Sequence, residues 1–188
     1  MLVADTQQHD AASRPLQRAV QRQPTNTDIA EFLQTEFPQT ECTIQSVGAL
    51  CAAVRYPVGE AELRPVGTVS GPVLRTVADV ALYVAIMGEA GIVPVVVSTS
   101  LTINFIRKSA VTEDIIAVCK LMKVGKSLAV GDVSLYSDGI AEPVAHALGT
   151  YAIPPRSTWP KSDGSPPVAF RFPDARKKPS AALLAGDV

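Results

Sequence analysis

One stretch of the chain, residues 67–87, limits the possible folds more than any other. It opens on Gly67, Ser70, Gly71 and Pro72, and then places Val73, Leu74, Val77, Val80, Leu82, Val84 and Ile86 on every side of a helical wheel. Proline near the start, with glycine or Ser70 as cap, and glycines at positions 88 and 91 predict a helix with defined ends. A helix that is apolar all round has to be wrapped by protein, and this one is too short, and too charged at Arg75 and Asp79, to span a bilayer. Asp79 is the anomaly. A carboxylate taken into an apolar interior without partners costs several kcal/mol unless it is paired or takes up a proton, and that is the setting a general base exploits. The plain structural alternative is an ion pair with Arg75, one turn earlier on the same face, in the less favourable order for such a pair.

With 188 residues, nearly half of them apolar, the chain can bury one sizeable core, and it reads as one domain with tails. A formal charge of -1 gives no reason to expect a nucleic-acid or membrane-surface partner. Cys42, Cys51 and Cys119 are odd in number and scattered, which predicts packed, reduced thiols and a cytoplasmic setting rather than a disulfide framework. His9 and His146 are the only histidines and neither stands in a metal-ligand cluster, so no metal is expected. The first residues lack a basic start followed by an apolar run, so no secretory signal is expected.

Residues 1–25 are polar and glutamine-rich and read as a loose arm. Thr27 and Asp28, with Glu31 following, predict a short helix over 29–37 that Pro38 ends. Residues 43–56 read as one strand with Gly48 as a bulge. After the apolar helix come four strand-like runs, 93–106, 114–124, 127–137 and 143–153. One strand, one helix and then a series of strands predict an α+β domain over 26–155, an antiparallel sheet curled round the helix. In the first of these runs Val95, Val97, Leu101, Ile103 and Phe105 alternate with Ser98, Ser100, Thr102 and Asn104, giving one packed side and one polar side that faces water or lines a cleft. His146 shares a face with Val144 and Leu148 and is expected in the core or at an interface. Residues 156–188 are proline-rich and form a tail, which Trp159, Phe170 and Phe172 could dock.

These segments resemble the hotdog-fold acyl-CoA thioesterases, specifically their phenylacetate-pathway, PaaI-like branch, over roughly residues 40–155. The family carries a His-Gly-Gly turn nine residues ahead of an Ala-Asp or Val-Asp on the central helix, and Ser70-Gly71-Pro72 stands at the same spacing from Ala78-Asp79. The block from Val97 to Ala110 looks like the family strand that ends in a cationic or proline turn, and the stretches 123–133 and 145–151 look like its last two strands.

The resemblance implies a hotdog fold and hydrolysis of a coenzyme A thioester, with coenzyme A as part of the substrate and no other cofactor. It matches Asp79 to the carboxylate that activates water or attacks the thioester carbonyl, Gly71 to the backbone N–H that faces the oxyanion, and Ser98 to a serine that positions water or carboxylate. A helix N-terminus, with unpaired N–H donors and a favourable dipole, suits that second role independently. The family builds each cleft from two protomers, so a homodimer or a dimer of dimers is implied.

Two positions depart from the pattern. Ser70 replaces the histidine, keeping hydrogen-bonding capacity but losing the imidazole. Arg64 stands where the family has asparagine, and would neutralise Asp79, bind an acyl carboxylate or point to solvent. Arg107, Lys108, Lys123 and Lys126 are the candidate phosphate contacts, the plain alternative being solvated turn residues. Asn104, on the polar side of its strand, completes the candidate substrate contacts. The missing histidine and asparagine keep open a non-catalytic acyl-CoA or fatty-ligand binding protein, whereas a hydratase would need a histidine beside the carboxylate.

Overall fold

A computed structural model describes residues 23–65, 67–110 and 112–155. The N-terminal arm up to residue 22 and the tail with Trp159, Phe170 and Phe172 lie outside the described residues.

The first helix, α1, covers Asn26–Glu36, three residues earlier at its start than the sequence predicts. Thr25 is its true cap. The Thr25 hydroxyl accepts from the Asp28 N–H at 3.2 Å while the Asp28 carboxylate accepts from the Thr25 N–H at 2.7 Å, so the capping box lies three residues upstream of the expected Asp28–Glu31 pair. Ile29 and Leu33 turn inward and anchor the helix.

The single strand expected over 43–56 is a hairpin, β1 Thr43–Gly48 and β2 Cys51–Tyr56, with Gly48 facing Cys51 across a two-residue turn. Nothing in the turn advertises it, because the residue in the left-handed region is Leu50, at φ 56°. Tertiary bonds hold it there: the Leu50 N–H donates to the Glu89 carboxylate on the central helix, and its carbonyl accepts from Leu121 at 2.7 Å. A leucine at positive φ is strained by about 1 to 3 kcal/mol and persists only where its surroundings over-determine it.

The central helix, α2, runs Gly71–Ala90 with Ser70 as cap and Pro72 in its first turn. Its second half is buried on all sides, as an apolar wheel demands, while Pro72, Arg75 and Thr76 of the first turns are exposed. Gly91, at φ 90°, ends it, with its N–H donating to Met87 at 3.0 Å. Gly88 has a different job from the expected one of closing the helix. It lies inside α2, where a Cβ would stand 2.5 Å from the Val47 side chain, so its bare backbone lets β1 approach.

Four longer strands follow, β3 Val97–Phe105, β4 Ile115–Val124, β5 Leu128–Ser137 and β6 Ala145–Ala152. All pairings are antiparallel in the order β1-β2-β4-β5-β6-β3, which leaves β3 as one edge. The sheet packs on α2, with Val54, Ala117, Cys119, Val133, Leu135 and Ala147 against it. Gly131 and Gly149 lie opposite one another on β5 and β6, and any Cβ at either would meet Leu82. That pair is the notch into which the middle of α2 seats. At the far end of β2, Arg55 bridges Asp114 and Asp138, each at 2.8 Å, tying three segments together. His146 does not enter the core: it is half-exposed on the outer face with Leu148, 3.7 Å from Asp132, because the inward positions of β6 are Ala145, Ala147, Gly149 and Tyr151. Among the described residues no helix is long and apolar enough to cross a membrane.

Candidate active site

Asp79 lies halfway along α2, half-buried, and its carboxylate forms part of a cavity of about 710 Å³. The ion pair with Arg75 does not form. Arg75 lines the same cavity, but its guanidinium donates at 3.4 Å to the Leu101 carbonyl on β3. The partner of Asp79 is Tyr151 near the end of β6, whose hydroxyl lies 2.6 Å from Oδ1 and 3.2 Å from the Asp79 carbonyl oxygen. Burial, followed by the nearby Asp79 charge and the hydrogen bond to it, pushes the Tyr151 phenol far above its ordinary range. It therefore stays protonated and remains a donor at any working pH.

Tyr151 is a candidate site residue that the sequence reading does not single out. The inward face of β6 reads Ala145, Ala147, Gly149, Tyr151. A tyrosine on an otherwise small-residue inward face was the available signal, since a buried phenol needs an acceptor. The acceptor itself lies 72 residues away in sequence, which only the fold reveals.

Ser98, at the start of β3, lines the cavity with Asp79, and Thr76 joins them from α2. Away from the carboxylate the walls become apolar and aromatic. Tyr83 packs edge-on to Phe37 with ring centroids 5.6 Å apart, and next to Tyr151 at 6.4 Å.

Gly71 opens elsewhere. It borders a second cavity of about 440 Å³ that also draws in Arg64, Phe105, Arg107 and Lys108, with no acidic side chain in its wall among the described residues. Ser70 makes no side-chain cap, and no described group accepts from the Gly71 N–H, as expected for the first residue of a helix. Eight residues of α2 separate Gly71 from Asp79, roughly 12 Å along its axis. One protomer therefore keeps its candidate oxyanion donor away from its candidate base. The candidate cations divide likewise. Arg107 and Lys108 follow the Phe105 end of β3, whereas Lys123 and Lys126 flank the β4–β5 turn, next to the Val97 end, through the registers of Leu128 with Ala152 and of Ala152 with Val97. Lys123, Lys126 and Asn104 are exposed and line neither cavity; Asn104 lies in register with His146.

The family model of the thioesterase superfamily matches residues 66–144, a span that takes in the Gly71 turn, Asp79 and most of the sheet. A candidate thioesterase from Silicibacter sp., known from its crystal structure, is 36% identical, with 70% of this chain and 92% of that one aligned at a TM-score of 0.66. The chain belongs to the thioesterase superfamily. More distant members share its fold: zebrafish thioesterase superfamily member 2 at 22% identity, over 70% of this chain and 99% of that one, with a TM-score of 0.62. The PaaI protein of the Escherichia coli phenylacetic acid degradation operon aligns at 20% identity over 68% of this chain and 92% of its own, with a TM-score of 0.57. No curated protein sequence matches the chain. The sequence-based resemblance to hotdog thioesterases, and the α+β architecture it implied, are borne out.

Proposed function

We propose that this thioesterase-superfamily protein hydrolyses the thioester of an acyl-coenzyme A, with Asp79 as base or nucleophile and the Gly71 N–H as oxyanion donor. The observation that carries the reading is the Asp79 carboxylate, facing a cavity and held by a tyrosine instead of by the neighbouring arginine. With Oδ1 occupied by Tyr151, Oδ2 is the oxygen left for the reaction. As base it takes a proton from water, the hydroxide adds to the thioester carbonyl, the oxyanion is met by a backbone N–H, and the carbon–sulfur bond breaks as the thiol takes up a proton.

The two halves of that chemistry come together in a dimer. Both cavities abut the edge strand β3, the Asp79 cavity at Val97, Ser98 and Leu101 and the Gly71 cavity at Phe105 and beyond. Val97 and Phe105 are 60% and 56% exposed, and the edge has no strand beside it. Antiparallel pairing of β3 with its copy across a two-fold axis would lay the Phe105 end of one protomer against the Val97 end of the other. Each cleft would then receive Asp79 and Ser98 from one protomer and Gly71, Arg64, Arg107 and Lys108 from its partner, with Lys123 and Lys126 at the same end. The unopposed cations suit the phosphates of coenzyme A.

Asp79→Ala should reduce thiol release from any accepted acyl-CoA by about a hundredfold or more. Gly71→Pro removes the N–H donor where Ser70 is already extended at ψ 147° and proline is tolerated in the first helical turn; a Cβ there would also stand 3.1 Å from the Phe105 ring, so Gly71→Ala, which adds that Cβ and keeps the N–H, is the control, and the expected loss beyond the control is about a hundredfold to a thousandfold. Mixing the two inactive variants after reversible dissociation should restore about a quarter of wild-type activity, since half of the dimers would be mixed and each would hold one intact site. No recovery would rule out a shared site, and full turnover in Asp79→Ala would remove the mechanism. Ser70 and Arg64, at the positions of the family histidine and asparagine, favour a second reading as a non-catalytic acyl-CoA binder. Thermal stabilisation by acyl-CoA without thiol release would establish it.

A further inference from the structure

The cavity in front of Asp79 has a direction. Arg75 stands one turn towards the N-terminus of α2, and in the other direction Val80 and Tyr83 lead away from the carboxylate between Pro94 and Val96. At the Tyr83 end α1 contributes Leu33, and its C-cap residue Phe37 packs edge-on against the Tyr83 ring. Past Asp79 on this side, the cavity lining contains no charged side chain among the described residues.

That end is built to stay in place. Tyr83 is held from three directions: its ring is edge-on to Phe37, Phe32 lies at 6.5 Å, and its hydroxyl donates to the Pro94 carbonyl at 3.4 Å. Phe32 and Phe37 brace one another at 6.3 Å. The helix carrying them is pinned by the fully buried Ile29 and by the capping box at its start. A chain entering here meets a wall instead of a soft loop.

We infer that α1 is the end wall of an acyl pocket, and that the preferred substrates carry an uncharged acyl chain of about six carbons. The inference rests on the hydrolase reading for its substrate but not for its geometry. Four residues separate Asp79 from Tyr83, roughly 6 Å along α2, and an extended chain advances about 1.2 Å per bond, so about five bonds bring an acyl group level with the Tyr83 ring. Beyond that point an extra methylene must displace Phe37 or Leu33, whose packing partners are fixed. An acyl carboxylate would be stripped of water with no cation among the described lining residues past Asp79, and with the Glu36 charge acting on this end at Tyr83.

The test uses the full chain and a series of straight saturated acyl-CoAs from acetyl to palmitoyl, reading kcat/KM by thiol release and, separately, thermal stabilisation by each ligand. Each methylene up to hexanoyl should raise kcat/KM by about fourfold, and the gain should stop or reverse by octanoyl. Phe37→Ala, confirmed as folded by its melting curve, should carry the gain on to longer chains; Phe37→Leu, a smaller cut, serves if the alanine variant fails to fold. An optimum at decanoyl or any longer chain in the wild type, or a folded Phe37 variant with an unmoved profile, would overturn the end wall. If no acyl-CoA is hydrolysed, the hydrolase reading fails by itself, and the stabilisation series still decides the wall: dependence on chain length that shifts in the Phe37 variant sustains it, and a flat series overturns it.

Discussion

Replacing Tyr151 with phenylalanine takes one oxygen from the protein and nothing else. Tyr151 is 3% exposed and the phenylalanine ring fits the same space, so the change isolates the contact to Asp79. What is lost is a 2.6 Å hydrogen bond to a carboxylate oxygen and a weaker 3.2 Å contact to the carbonyl of the same residue. Hydrogen bonds to charged groups contribute about 1.5 to 3 kcal/mol. If that energy fixes the rotamer from which Asp79 reacts, kcat should fall by about tenfold to a hundredfold, with KM within about twofold. The stability cost should be smaller, because the freed oxygen faces a cavity that water can enter; a drop in Tm of less than about 5 °C is expected. The assay is thiol release over a range of a good acyl-CoA substrate, run beside a thermal melt and a size measurement on the same preparation. Unchanged kcat with an unchanged melt would refute the positioning role. A loss of activity that merely tracks the folded fraction would reduce Tyr151 to a packing residue.

Gly149→Val should lower stability by about 2 kcal/mol, a Tm drop of roughly 5 to 10 °C, because its side chain collides with Leu82; combining it with Leu82→Ala should cost less than the sum of the two single changes, and additivity would contradict the notch. Burial, its largest cause in each group, raises Cys42 and Cys119 from 9.0, and Tyr83 from 10.0, to about 12, with Tyr151 higher still. The unfolded chain gives up these protons first as pH rises, so it then binds fewer protons than the folded one. Their stabilising effect is complete below about pH 8 and is lost progressively from about pH 9 upwards as pH climbs towards the folded values. A Tm profile that stays level through about pH 11 would contradict this. Removing both Arg107 and Lys108 as alanines should raise KM for acyl-CoA by about tenfold at low ionic strength while sparing kcat, and the difference should shrink with added salt. Equal KM values would take those cations out of the nucleotide contact.

The sequence by itself determined that residues 71–90 form a helix to be wrapped, because apolar residues on all sides leave no other stable arrangement, and that an acid sits in the middle of it. It also determined the four later strands to within a few residues, since alternation and turn chemistry are local. The α1 cap lay in the sequence too, as Thr25 three residues before Asp28, but Asp28 and Glu31, also three apart, offered a competing pattern of equal local merit. The tertiary structure decided what no local signal carries. Leu50 turns the first hairpin without glycine because Glu89 and Leu121 hold it, Asp79 ignores the arginine one turn away for a tyrosine 72 residues on, and Gly88 admits Val47 instead of ending the helix. Periodicity and capping follow from a residue's neighbours along the chain. The partner of a buried polar group follows from which strand reaches it across the core, and that is a property of the packed fold alone.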